Sequence, residues 1–175
     1  LVLVVEALRY PGCFQLGKIF DSAGDRVTSY RFEGTSLILP LAEKHSEGET
    51  LHFTIEYTLE LLPLGGLASV RPYPLAYSDL QANFGDWYPF IPPYQPGTGW
   101  LVHPPAQFGE HLVYDLADFD VAITLEGAQT GLTIAGPTLP EESSPEASER
   151  PESIHFQHTA ARNFAWSASP YYEVL

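Results

Sequence analysis

Side chains in this sequence can be searched for four kinds of chemistry: metal ligation, acid–base work, nucleophilic attack and stacking. Of the six histidines, His155 and His158 stand three apart in HFQH. On a strand, residues i and i+3 point to opposite faces, so these two do not converge on one ion. His52 sits beside Thr and Glu in an alternating stretch and reads as a surface residue. His45, His103 and His111 fall in loops or at a strand start. None belongs to H-E-x-x-H, in which a helix presents two zinc ligands and a general base. Two carboxylate pairs, Asp118 with Asp120 and Glu56 with Glu60, each share one strand face. Glu56 and Glu60 read as solvent-facing. Asp118 and Asp120 can hold a cation or polar loop groups but have no nucleophile beside them. Cys13 is the only cysteine, so it has no internal disulfide partner and offers no metal framework. Neither G-x-S-x-G nor a phosphate-binding glycine loop occurs. Gly97-Thr98-Gly99 runs into Trp100 and reads as a turn.

Stacking chemistry is better represented. Residues 83–100 hold Phe84, Trp87, Tyr88, Phe90, Tyr94 and Trp100 among four prolines. Trp87, Tyr88, Tyr94 and Trp100 can form a sugar-stacking platform or a partner surface, or they can fill the core under their own loop. A long loop this apolar has to pack on something, or it is an exposed patch. Long loops in compact domains are often functional or interface-forming.

Several strands must position these groups. The clearest spans 51–60, where Leu51, Phe53, Ile55, Tyr57 and Leu59 alternate with polar residues. That predicts a strand with one buried and one wet face. Residues 111–126 predict another, with Phe119, Val121, Ile123 and Leu125 on its inner side. Val121 and Ile123 are expected to be buried. Further strands are expected over 1–9, 14–20, 26–32, 36–39, 131–135, 153–159 and 162–167. Gly127 to Gln129 is expected to turn the chain into a hairpin between 111–126 and 131–135. The acidic, proline-bearing stretch 138–152 is expected to be a solvated loop. No three-turn apolar periodicity of helical spacing occurs, and no internal repeat. Short strands separated by turn signals predict an all-β sandwich, taken as one domain over residues 1–175.

Composition narrows the function classes. The 22 acidic and 8 basic residues give a net charge of −14. That charge disfavours nucleic acid and anionic membranes, which are bound through Lys and Arg. No apolar run approaches the roughly 20 residues of a membrane span. The opening LVLVV lacks the features of a signal peptide. No Asn-x-Ser/Thr acceptor is present, and compartment stays open. Methionine is absent even at position 1, so a trimmed piece or a processed product is expected rather than a full-length translation.

Four stretches, taken in order, resemble a known family. They are EGETLHFTIEY (47–57), NFGDWYPFIPPY (83–94), LADFDVAITL (116–125) and RNFAWSASPYYEV (162–174). Together they resemble the N-terminal domain of the aminopeptidase N family, the gluzincin zinc metallopeptidases. The likeness covers most of the chain and is best from about Leu37 onward. It implies a saddle-like β-sandwich of mostly antiparallel short strands with a long aromatic and proline-rich loop. It also implies that the segment packs on a missing catalytic domain of the same parent chain and forms one wall of a peptide cleft. The zinc motif H-E-x-x-H and the signature G-x-M-E-N are absent, so this segment is expected to be non-catalytic and to hold no cofactor. Zinc is expected in the missing domain, where it would serve peptide hydrolysis. Gln81, Trp87, Tyr88, Tyr94 and Trp100 are the expected cleft or inter-domain surface. Gln81 stands roughly where the family has a substrate-contacting residue, but its neighbours do not match and no catalytic role is carried onto it. The family's usual proline-cysteine/aspartate motif is replaced by Trp87-Tyr88-Pro89. The alternative is a free-standing carbohydrate- or protein-binding β-sandwich module that uses the aromatic loop. A third idea is a self-contained enzyme acting through Asp118 or Cys13.

Overall fold

The structure is a computed structural model that describes residues 1–41, 43–46, 48–64, 75–105, 111–127, 131–140 and 153–173. It is all-β, with mostly antiparallel pairing. In chain order the strands are β1 (Val2–Val4), β2 (Phe14–Phe20), β3 (Arg31–Glu33), β4 (Ser36–Ile38), β5 (Thr54–Leu59), β6 (Leu62–Pro63) and β7 (Leu75–Tyr77). There follow β8 (Ala82–Phe84), β9 (Tyr94–Gln95), β10 (Gly99–Trp100), β11 (Ala117–Thr124), β12 (Thr133–Ala135), β13 (Ser153–Ala161) and β14 (Trp166–Ser169). They gather into two compact units, one of residues 1–60 and 88–114, the other of residues 61–87 and 115–175.

In the first unit, β1, β4 and β3 form an antiparallel sheet with Leu3 opposite Leu37. β2 pairs with β5, and its register shifts between Leu16 and Ile19. Gly17 lies within that shift, where a Cβ would stand 2.9 Å from the Glu56 carbonyl oxygen. The alternation expected over 51–60 holds within β5, with Ile55, Tyr57 and Leu59 half-buried and Thr54, Glu56 and Thr58 exposed, whereas Leu51 lies outside the strand and is exposed. Leu3, Val5, Ile19, Leu37 and Leu39 form the apolar core. The aromatic loop is tied to β1 by a reciprocal pair of backbone bonds. The Val4 N–H donates to the Phe90 oxygen at 2.8 Å, and the Phe90 N–H donates back at 3.0 Å.

In the second unit, a five-stranded sheet runs in the order β12-β14-β8-β7-β6, and β11 pairs with β13 as a separate ribbon. Ile123, Phe156 and Phe164 are buried, and the Phe164 ring lies 5.9 Å from both Phe119 and Phe156. Fully burying side chains of this size stabilises a fold by about 1.5–3 kcal/mol each. Gly136, just past β12, makes room for this cluster. A Cβ there would lie 2.7 Å from Phe156 Cε1.

Several elements differ from expectation. The first strand stops at Val4, because a 3-10 turn at Glu6–Arg9 takes over. The expected strand 26–32 is reduced to Arg31–Glu33, with only an isolated bridge from Arg26 to Phe20. The strand of 111–126 begins at Ala117, and that of 162–167 is shifted to Trp166–Ser169. Val121 is half-buried, while Ile123 is buried as expected. The hairpin between β11 and β12 does not form. β12 pairs with β14, and β11 pairs with β13. A turn signal proposes a local partner, but burial decides the actual one, because each strand must turn its apolar set inward. Most of the acidic 138–152 stretch lies outside the described residues.

Candidate functional site

Gln81 and Trp87 fall in the second unit, and Tyr88, Tyr94 and Trp100 in the first. Gln81 immediately precedes β8, in a turn closed by the Ser78 N–H, which donates to the Gln81 oxygen at 2.8 Å. Its side chain is held at both ends. Nε2 donates to Asn83 Oδ1 at 3.2 Å, and the Tyr172 hydroxyl donates to Oε1 at 3.1 Å. The same hydroxyl lies 2.8 Å from Ser167 Oγ. Asn83 and Ser167 are direct partners in the sheet, so their side chains share a face. The result is a half-buried amide fixed in orientation. It keeps a second lone pair on Oε1 and a second N–H on Nε2 for another partner.

Trp87 packs within its own unit. Its indole N–H donates to the Phe164 carbonyl at 2.9 Å, and its ring meets Trp166 edge-on at 6.4 Å. Trp166 in turn stacks flat on Phe84 at 3.8 Å. Its Nε1 is enclosed without a hydrogen-bond partner among the described residues, an arrangement that costs about 1–3 kcal/mol. These three rings are half-buried and packed on one another.

The first unit divides its aromatics differently. Tyr88 is half-buried near Tyr57, whose phenol is pushed well up by burial, with a smaller contribution from Tyr88. Tyr94 stands opposite Trp100 across the β9–β10 hairpin, with the rings edge-on at 5.1 Å. Tyr94 is 59% exposed and Trp100 is half-buried, so this pair is an aromatic surface open to solvent.

One cluster has no counterpart in the sequence reading. Glu6 is 2% exposed, yet it is a carboxylate. Arg9 Nη1 donates to one of its oxygens in a short contact within the 3-10 turn, and His111 Nε2 lies 3.1 Å from the other. A buried charge is tolerated only when paired and hydrogen-bonded. The local signal was a Glu set inside an apolar run with Arg three residues on. The third member, 105 residues away, gives no local sign. With Glu6 so enclosed, the cluster works as an internal latch between two segments of the first unit.

The remaining chemical candidates resolve into structural roles. His155 is exposed and His158 half-buried, on opposite faces of β13. Glu56, Glu60, Asp118 and Asp120 are exposed. Asp118 sits where the β11–β13 register shifts and accepts the Ala160 backbone N–H at 2.8 Å. Cys13 is enclosed, and burial pushes its thiol up, aided by the Glu60 carboxylate. A thiol held protonated is a poor nucleophile. Among the described residues, no group of three or more His, Cys, Asp or Glu side chains can hold a metal ion. Among the same residues, no helix is long and apolar enough to cross a membrane.

No family model, curated protein or solved structure matches the chain.

Proposed function

We propose that this chain is a non-catalytic β module of an aminopeptidase-like zinc metallopeptidase, packing on a catalytic domain and forming one wall of its peptide cleft. The observation that carries this reading is the fixed amide of Gln81. Asn83, Tyr172 and Ser167 hold it at one sheet face, with hydrogen-bonding capacity left over. An amide fixed before substrate arrives loses little entropy on binding a peptide. The all-β, mostly antiparallel architecture and the ordered sequence likeness support the same reading. Zinc belongs, on this reading, to a separate catalytic domain.

The test has two parts. The coding sequence that follows this segment is searched for H-E-x-x-H and G-x-M-E-N. The polypeptide carrying them is then assayed on aminoacyl anilides with and without Gln81→Ala. The substitution is expected to raise KM severalfold, through lost ground-state binding. Absence of the zinc motif overturns the reading, as does hydrolysis by the 175-residue chain on its own.

A second reading is favoured by the exposure of Tyr94 beside Trp100. On that reading the hairpin is a carbohydrate- or protein-binding face of a self-contained module. Titrating an oligosaccharide panel while following tryptophan emission checks it; unchanged emission throughout rules out the carbohydrate form.

A further inference from the structure

We propose that the outer edge of β12, with Tyr171 and Glu173 beside it, is a docking groove for an extended, lysine- or arginine-bearing segment of a protein partner, taken up by strand addition. β12 ends the five-stranded sheet and pairs only with β14 among the described residues. An open strand edge offers backbone donors and acceptors that an extended peptide can match. A groove of about 510 Å³ lies there, lined by Thr133, Ile134, Ala135, Tyr171, Tyr172 and Glu173. That volume suits a few residues of peptide.

The chemistry of the groove selects its occupant. Tyr171 is 68% exposed and Leu80 65%. Both are held at one corner by Ser169, whose Oγ donates to the Leu80 oxygen at 2.6 Å and accepts the Tyr171 N–H at 3.0 Å. Tyr171, kept in water in the lining of the groove, gives an apolar anchor for an incoming side chain. Glu173 is the only charged residue in the lining among the described residues. Among the described residues of 61–87 and 115–175 there are seven acidic side chains, and the only basic one is Arg162. That field attracts a cationic segment and repels an acidic one. Three edge residues supply few main-chain bonds, so charge and the Tyr171 contact have to provide the selection. The binding is therefore salt-sensitive. The proposal stands apart from the aminopeptidase reading and does not depend on Gln81.

The experiment is a titration of a short capped peptide of alternating Lys and Val into isotope-labelled protein. A Glu-for-Lys peptide serves as the control. Amide shifts are expected at Thr133–Ala135 and Tyr171–Glu173 with the lysine peptide only, weakening as salt is raised. Tyr171→Ala combined with Glu173→Lys, both at exposed positions, is expected to weaken binding on the order of tenfold. Equal binding of the glutamate peptide overturns the proposal, as does indifference to the double substitution, which would place the peptide elsewhere on the acidic surface. Absence of binding overturns it too. So does exchange protection of the Thr133–Ala135 edge without peptide, which would show that the chain covers this edge itself.

Discussion

Glu6 is the residue at which burial and charge conflict most directly. Its carboxylate is held by Arg9 and His111 in a setting where neither oxygen meets water freely. Replacing a buried ion pair by apolar groups is often neutral, but deleting one partner strands the other. Glu6→Ala is therefore expected to destabilise the first unit by about 1–3 kcal/mol, because it takes the partner from the enclosed His111 ring while the 31%-exposed Arg9 can still reach water. Glu6→Gln keeps the shape and an acceptor oxygen and should cost less. Denaturant unfolding of the two variants checks this, and equal midpoints for Glu6→Ala and the parent would refute the latch. By sequence alone His111 falls in a loop or at a strand start, and Glu6 lies in the expected strand 1–9. Neither residue carried any mark of the other. A contact made across 105 residues depends on where two segments are brought by packing. The carboxylates of β5 and β11 were easier to read. Strand period two alone sends Glu56 and Asp120 to solvent, where the structure has them.

Among the elements, the long alternating strands were legible because each carries its own evidence of which face is buried. β5 and β11 keep the alternation predicted for them, though both are shorter than expected at their N-terminal ends. Pairing was not legible. β12 follows β11 across a glycine-bearing turn and still pairs with β14. The junction past β12 shows why the fit is demanding. Gly136 leaves a Cβ-sized space that the buried Phe156 ring fills, and that ring is fully enclosed. Gly136→Ala is expected to cost about 1–3 kcal/mol, as overpacking of a filled core does. Pairing it with Phe156→Leu should recover part of the loss that the glycine substitution causes by itself. A double-mutant cycle by thermal unfolding measures this, and strict additivity would show that the two sites are not coupled. The aromatic loop divides in the same way. Trp87 has its N–H and ring committed to Phe164 and Trp166, whereas Tyr94 remains at the surface. No spacing rule separates two such residues within one proline-rich stretch.

For the whole molecule, two protonated groups tie stability to alkaline pH. Burial raises the Cys13 thiol and the Tyr57 phenol above their ordinary values of 9.0 and 10.0. A group with a raised folded pKa binds its proton more tightly in the folded chain. Its stabilising contribution is complete below the unfolded pKa and is lost as pH rises toward the folded one. The thermal midpoint is therefore expected to fall from about pH 9 upward, first through Cys13 and then through Tyr57. Tyr57→Phe should flatten the later part of that fall. Thermal melts across pH 8–11 check this (~8–11 brackets the ordinary Cys and Tyr values), and an unchanged profile in the variant would remove Tyr57 from the account.

The sequence by itself determined that the chain is all-β and built of short strands, because alternation and turn chemistry are local properties of neighbouring residues. It also determined the acidic balance, a matter of composition alone. Only the tertiary structure decided which strands pair, that the Trp87 indole N–H meets Phe164, which tyrosine is exposed, and that Glu6 meets His111. Those outcomes follow from burying apolar area and satisfying enclosed polar groups across segments far apart in the chain, and such choices leave no periodic trace in the sequence.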